Sequence, residues 1–378
     1  MKKRKFIKLS AITGAGIFTL NSLSSFRTGM SEIPGKIKKD FLKLTFKPYT
    51  LELKHSFNLA VSSRKTTPAM LVEIEWNGIT GYGEASMPPY LGENQETAGK
   101  FLASLKLEQF EDPFLIEDIL SYVNESALGN FAAKASVDIA LHDLIGKLIE
   151  EPVFKLLGLN SEKTPFTSFT IGIDTPEIVR QKVVEARPYS ILKVKLGGGN
   201  DREMIEVIRS VTDKPLCVDV NQGWKDRTYA LEMAHWLKEN GVVFLEQPLP
   251  KEQIDDIVFL KERSPIPIIG DEAIQGLADL LKFKDVYSGV NVKLMKCGGI
   301  REAYIMLKTA KALKMKTMIG CMTETSCAVT AAAHLSPLAD WCDLDGNLLI
   351  RNDIFDGIKI IEGKVTIPER PGIGVIKL

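Results

Sequence analysis

From residue 165 onward, polar residues recur in short groups, each closing an apolar, β-type run. The groups are Lys193-Val194-Lys195, Asp219-Val220-Asn221, Glu246-Gln247-Pro248, Gly270-Asp271-Glu272, Asn291-Val292-Lys293 and Asp343-Leu344-Asp345. Each of the first five lies about one strand-plus-helix length beyond the one before it. Asp219, Glu246 and Asp271 are carboxylates that repel one another unless a cation sits among them. An all-oxygen set selects a hard divalent ion, and Mg²⁺ fits best because it keeps positions open for a substrate. Lys195 and Lys293 flank this arc. Two amines on opposite sides of one metal address opposite faces of one carbon. Each serves as a base if the ion and a neighbouring lysine depress its pKa. The chemistry such a set supports is removal of a proton next to a carboxylate, with the metal stabilising the enediolate that forms. A lone aspartate or lysine at a strand end is most often solvated or ion-paired. The ordering of six groups is what carries the inference.

The elements that must position these residues are legible in the same stretch. Strands are predicted at Phe166–Ile173, Ile191–Leu196, Leu216–Val220, Val242–Gln247, Ile266–Asp271, Gly289–Leu294, Lys316–Cys321 and Trp341–Asp345. Amphipathic helices are predicted between them, including Pro176–Ala186, Arg202–Val211, Thr228–Glu239 and Glu302–Leu313. Alternating strand and helix means parallel strands with right-handed crossovers. The fold class is therefore α/β, a (β/α)7–8 TIM-type barrel, with the polar groups at the C-terminal strand ends where barrels place their chemistry. A Rossmann sheet is the alternative, but Leu196-Gly197-Gly198-Gly199 lacks the dinucleotide-binding spacing.

Residues 40–161 read as an α+β capping domain. Ala69–Trp76 and Thr80–Glu84 form a hairpin about Asn77-Gly78, and helices cover Thr97–Leu107 and Phe131–Leu148. The tail 354–378 has two strand-like pieces around Gly363 and returns to this domain, which leaves 162–353 as the catalytic barrel.

These motifs, with Asn291-Val292-Lys293-Leu294-Met295-Lys296-Cys297-Gly298-Gly299-Ile300, resemble the enolase superfamily, in its muconate-lactonizing-enzyme subgroup. The resemblance covers about residues 40–378. It implies Asp219, Glu246 and Asp271 as Mg²⁺ ligands, one ion per subunit, and Lys195 and Lys293 as the acid/base pair. It places Lys193 beside the substrate carboxylate, where it depresses the pKa of Lys195, and Asn221 behind the metal ligands. Asp343-Leu344-Asp345 resembles the dipeptide epimerases, where paired aspartates hold the free α-ammonium; two carboxylates suit an amine in a partly dry pocket. A solvated or calcium-like loop is the bland reading of that pair. The same resemblance brings Thr170 and the backbone of Cys321 and Thr323 to the dipeptide. Arg64, in an expected loop Asn58–Pro68, is a bidentate partner for a side-chain carboxylate, which suits Ala-Glu, or it decorates a mobile loop. Tyr90 covers the substrate or packs on the barrel. The implied activity is dipeptide epimerisation in peptidoglycan turnover. N-acylamino-acid racemase, o-succinylbenzoate synthase and muconate-type cycloisomerase are same-family alternatives, and a non-catalytic exported binding protein is the alternative of another class.

The chain has 378 residues, 48 basic and 48 acidic, so its net charge is zero and gives no reason to expect nucleic-acid binding. The balance is uneven along the chain. Lys2, Lys3, Arg4, Lys5 and Lys8 precede a short apolar run, with no acid before residue 26. Residues 1–25 therefore resemble an export signal, imperfectly twin-arginine-like, with a basic tail on a cytoplasmic protein as the alternative. The apolar run is too short to span a bilayer. The partner expected is a small dipeptide, and a homo-oligomer is left open. Cys217, Cys297, Cys321, Cys327 and Cys342 include no Cys-x-x-Cys pair and read mostly as buried thiols. His142, His235 and His334 have no ligand-like spacing.

Overall fold

A computed structural model of the protein describes residues 40–59 and 62–378. The export signal expected at residues 1–25 lies outside the described residues. Among the described residues, no helix is long and apolar enough to cross a membrane.

The first layer is an antiparallel sheet of β1 (Lys43–Leu59), β2 (Ser62–Trp76) and β3 (Ile79–Ser86). Asn77 and Gly78, at φ 49° and 76°, form the two-residue turn whose left-handed pair matches the twist of the flanking strands. The segment expected as a loop, Asn58–Pro68, is instead strand on both sides of residues 60 and 61. Pairing runs on through Leu51↔Thr67, Glu52↔Thr66 and Phe57↔Arg64, so Arg64 and Lys65 lie on β2. The β-branched Thr66 and Thr67 extend β2 beyond Ala69, and an irregularity in β1 between Glu52 and Phe57 absorbs the change of register.

Helices α1 (Gln95–Ser104), α2 (Ile116–Glu125) and α3 (Phe131–Leu148) cover this sheet, followed by the single turn α4 (Val153–Leu156). α1 starts two residues before the apolar pattern suggests, because Asn94 caps it: its Oδ1 accepts from the Thr97 amide at 3.0 Å, and Thr97 Oγ1 accepts from the Asn94 amide at 3.0 Å. α3 lies directly on β3. A Cβ at Gly83 would fall 1.9 Å from the Ser136 carbonyl oxygen, so only glycine permits that approach.

Eight parallel strands follow in sequence order: β4 (Phe169–Ile171), β5 (Leu192–Lys195), β6 (Leu216–Asp219), β7 (Val242–Glu246), β8 (Ile268–Gly270), β9 (Gly289–Lys293), β10 (Lys316–Gly320) and β11 (Trp341–Asp343). The barrel closes through a parallel bridge between Thr167 and Cys342, where the Ser168 amide donates to the Cys342 carbonyl at 3.0 Å. Between the strands run α5 (Pro176–Glu185), α6 (Asp201–Arg209), α7 (Arg227–Glu239), α8 (Ile254–Arg263), α9 (Leu277–Phe283), α10 (Leu294–Cys297) with α11 (Ile300–Ala312), and α12 (Ser326–Ala333). After β11 a short 3₁₀ turn, Gly346–Leu349, stands where an eighth helix would be. Cys217, Phe244, Ile269 and Met318 form a separate apolar cluster inside the barrel. Each of the first three lies two residues before one of the carboxylates, so the cluster is the floor on which the polar layer rests.

The tail forms the hairpin β13 (Lys359–Ile361) and β14 (Lys364–Thr366) around Gly363, while β12 (Phe355–Asp356) pairs with β15 (Ile376–Lys377). It docks on α3 and β2: the Ile373 amide donates to Asp143 Oδ1 at 2.9 Å, and Lys377 pairs with Glu73. His334 is a core residue that joins two segments. Its Nδ1 accepts from the Phe154 amide and its Nε2 donates to the Ile373 carbonyl, both at 3.0 Å, and burial pushes its pKa down to about 4. All five cysteines are buried and free.

Candidate active site

Strand register alone brings the candidate site residues to one end of the barrel. Lys195 on β5 pairs with Asp219 on β6, which pairs with Glu246 on β7. Lys293 on β9 pairs with Gly320 on β10, which pairs with Asp343 on β11. Since side chains alternate in and out, these residues share the barrel interior, while Leu192, Val194, Val218, Leu245, Val290 and Val292 are buried in the main hydrophobic core.

One oxygen from each of Asp219, Glu246 and Asp271 lies within 4.8 Å of the other two, and all three carboxylates are buried. Lysines face the cluster. Lys195 Nζ donates to Asp219 Oδ2 at 2.6 Å and to Asn221 Oδ1 at 3.2 Å. Lys293 Nζ donates to Asp271 Oδ2 at 2.9 Å. Lys193, only 1% exposed, sits among three acids: Asp343 Oδ2 at 2.7 Å, Glu246 Oε2 at 2.8 Å and Asp219 Oδ2 at 3.1 Å.

The electrostatics follow from this crowding. Burial works to raise the Asp219 carboxyl, but Lys195 and Lys193 overcome it and the net shift is downward. Asp271 is likewise held well below the usual carboxylate range, because Lys293 and Lys296 outweigh its burial. Glu246 goes the other way, raised by burial and by the Asp219 charge. Burial alone would depress Lys293, yet Asp271 more than reverses it and holds the ammonium well above its ordinary value. The depressed lysine expected from sequence is therefore not what these charges produce by themselves. A cation bound to Asp271 is what would cancel the opposing carboxylate.

A cavity of about 400 Å³ opens above this layer. Lys195, Lys293, Lys193, Asn221 and Asp271 line it, as do Thr170, Cys321, Thr323, Asp343, Asp345 and Arg64. Asp219 and Glu246 lie beneath them. Asp343 Oδ1 accepts from Ser168 Oγ at 2.8 Å, and Asp345 Oδ2 accepts from the Thr170 amide at 2.8 Å. Burial and the Asp343 charge push the Asp345 carboxyl up to about 6.

The cap forms the roof. Arg64 Nε donates to Thr67 Oγ1 at 3.1 Å, and Thr67 Oγ1 shares a 2.7 Å hydrogen bond with Thr323 Oγ1 in the loop after β10. Tyr90 reaches across to Met322, its hydroxyl 3.2 Å from Sδ. Glu84 on β3 accepts from the Thr325 and Ala328 amides at the start of α12, which anchors the cap strand to that loop.

Some members of the site have no role assigned from sequence. Lys296 is fully buried and donates to Asp271 Oδ1 at 2.6 Å. It lies inside the Asn291–Ile300 motif, three residues after Lys293 on a helical turn, and that spacing is the signal that would have found it. Glu272 lines the cavity, accepts from Asn221 Nδ2 at 3.1 Å and is pushed up to about 7 by burial and by Asp271. Gln222, Lys251 and Gln275 complete the wall, and no spacing singles them out.

Three buried carboxylates suited to one metal ion, with lysines beside them at the mouth of a capped barrel, define a candidate enzyme site. Residues 45–158 match the family described as mandelate racemase/muconate lactonizing enzyme, N-terminal domain, and residues 177–376 match the enolase C-terminal domain-like family. The chain belongs to this family, within the enolase superfamily. The L-Ala-D/L-Glu epimerase of Bacteroides thetaiotaomicron is 55% identical over 100% of this chain and 99% of its own length. A substrate-liganded L-Ala-D/L-Glu epimerase from Bacillus subtilis superposes with a TM-score of 0.83 at 25% identity, over 89% of this chain and 99% of that one. A dipeptide epimerase from Methylococcus capsulatus, complexed with Mg and L-Arg-D-Lys, gives a TM-score of 0.82 at 28% identity over the same shares, 89% and 99%. Within the superfamily the chain groups with the dipeptide epimerases, and it is an isomerase.

Proposed function

We propose that this enzyme inverts the α-carbon of the C-terminal residue of L-Ala-D/L-Glu or a related dipeptide, with Lys195 and Lys293 removing and returning the α-proton on opposite faces. The observation that carries the reading is their arrangement. The two amines come from β5 and β9, each side chain is 8% exposed, and both line one cavity over the three carboxylates.

Asp219, Glu246 and Asp271 fit one Mg²⁺: three buried oxygens from three carboxylates converge, and lysine ammonium groups already gather against them. When bound, Mg²⁺ supplies positive charge to the substrate carboxylate as the adjacent proton leaves. The chain's own residues do the rest. One lysine removes the α-proton, and the other returns a proton to the opposite face. Lys193 adds a fixed charge where the substrate carboxylate arrives, and Asn221 orients Lys195. Asp343 and Asp345 receive the substrate ammonium at the far wall. Thr170 and the backbone of Cys321 and Thr323 border the peptide. Arg64, oriented through Thr67, offers a planar fork to a side-chain carboxylate such as that of Glu. The division of labour places the chemistry in residues 162–353 and the roof in 40–161 with 354–378. A dipeptide of Ala and an invertible Glu is a fragment of peptidoglycan, so turnover of that polymer is the proposed source.

The full chain incubated with L-Ala-L-Glu and Mg²⁺ is expected to yield L-Ala-D-Glu, read by chiral chromatography after hydrolysis. D-Ala should not appear, and EDTA should stop the conversion until Mg²⁺ is restored. Failure to form D-Glu would remove the Ala-Glu assignment.

A further inference from the structure

The three carboxylates share an arrangement that the reaction itself does not require. In each, one oxygen faces the lysines and the other is tied back into the protein. Asp219 Oδ2 faces Lys195, while its Oδ1 accepts from the Asn221 amide at 3.0 Å. Glu246 Oε2 faces Lys193, while its Oε1 accepts from Asn291 Nδ2 at 2.7 Å. Asp271 Oδ2 faces Lys293, while its Oδ1 accepts from Lys296 Nζ at 2.6 Å.

Both side-chain tethers are buried. Lys296 also donates to the carbonyls of Asp271 at 2.7 Å, Asn291 at 2.9 Å and Ile274 at 3.1 Å, which holds its ammonium between β9 and the loop after β8. Asn291 is fully buried and lies against Gly320, where a Cβ would come 2.6 Å from its Oδ1, so the glycine makes the space this amide occupies.

We infer that Asn291 and Lys296 are positioning residues that limit Glu246 and Asp271 to one oxygen each toward the cation, and so select Mg²⁺ against Ca²⁺. The physical reason is coordination number. Mg²⁺ takes near-octahedral single-oxygen ligands, whereas Ca²⁺ takes six to eight oxygens and readily accepts both from one carboxylate. A carboxylate whose second oxygen is held by a buried donor cannot swing to give two without breaking that bond. The inference rests on the reading of these carboxylates as metal ligands.

Calorimetric titration of the full chain with Mg²⁺ alone and with Ca²⁺ alone tests it, with no substrate present. Lys296→Met and Asn291→Leu should each lower the preference for Mg²⁺ over Ca²⁺ by roughly tenfold, the lower end of outer-shell effects on metal affinity. An unchanged preference in either folded variant overturns the inference. Crystals of the unaltered protein soaked in Ca²⁺ give a second arm that does not depend on variant folding. Single-oxygen contacts from Glu246 and Asp271, with the Asn291 and Lys296 bonds intact, support it. Two-oxygen coordination by either carboxylate refutes it. Absence of Mg²⁺ binding at the three carboxylates of the unaltered protein would instead remove the metal reading, and this inference with it.

Discussion

Lys293→Ala and Lys195→Ala are each expected to reduce epimerisation by about 10³-fold or more, within the range for loss of a positioned acid or base. The two losses should differ in kind. With one amine gone, the other still reaches its own face of the α-carbon. Each variant should therefore exchange the α-proton of one epimer with solvent while leaving the other untouched, and the two variants should favour opposite epimers. Proton NMR in D₂O on each purified epimer reads this directly. Exchange of the same epimer by both variants would contradict the two-face assignment. Metal affinity separates catalytic from structural loss. Lys293 donates to Asp271 Oδ2, so its removal leaves more negative charge at the cluster. Mg²⁺ binding by Lys293→Ala should be retained or strengthened, whereas a collapsed site would lose it.

The second large effect concerns the ammonium end. Asp345→Asn is expected to raise KM for a dipeptide by about 10- to 100-fold, the worth of a hydrogen bond to a charged group, with a smaller change in kcat. Asp345 is a cleaner probe than Asp343, whose Oδ2 lies 2.7 Å from Lys193 and so belongs to the carboxylate-lysine network. Asp345 is held by the Thr170 amide, and asparagine can keep that acceptor. Substrate chemistry decides between readings. An N-acylated amino acid has no ammonium, so an N-acylamino-acid racemase or an o-succinylbenzoate synthase would be indifferent to Asp345→Asn. The pH dependence supplies a further check. Burial and the Asp343 charge push the Asp345 carboxyl up to about 6. Its protonated form cannot attract an ammonium, so KM of the unaltered enzyme should rise as pH falls through about 6. That rise should be absent in Asp345→Asn.

The barrel was readable because its strands are short apolar runs closed by charged residues, and burial on both faces leaves little freedom in where such a run begins. Asp219, Glu246, Asp271, Lys195 and Lys293 stood out because each closes a strand. Arg64 was visible as a residue but not as a strand residue. Thr66 and Thr67 carry β-branching without the apolar alternation that marks Ala69–Trp76, and only pairing with Leu51 and Glu52 extends β2 through them. Lys296 falls outside the pattern of one polar group per strand end. A lysine on the following turn normally points to solvent, and here α10 turns it back beneath Asp271. The position of Lys193 among Asp219, Glu246 and Asp343 is likewise a matter of tertiary geometry, since spacing places it beside Lys195 but gives no depth. Ser168 and Thr67 hold Asp343 and Arg64 through single hydroxyls, and nothing in a sequence distinguishes such a hydroxyl from its many neighbours.

On the proposed mechanism one lysine removes the α-proton of the C-terminal residue and the other delivers a solvent-derived proton to the opposite face. Incubation of the unaltered chain with Mg²⁺ and L-Ala-L-Glu in D₂O tests it most directly, with the product analysed by mass spectrometry and NMR. Deuterium is expected at the α-position of Glu, with the product epimer carrying it from its first appearance and Ala remaining unlabelled. Deuterium at Ala, or inversion of Glu without any deuterium in either epimer after many turnovers, would contradict it.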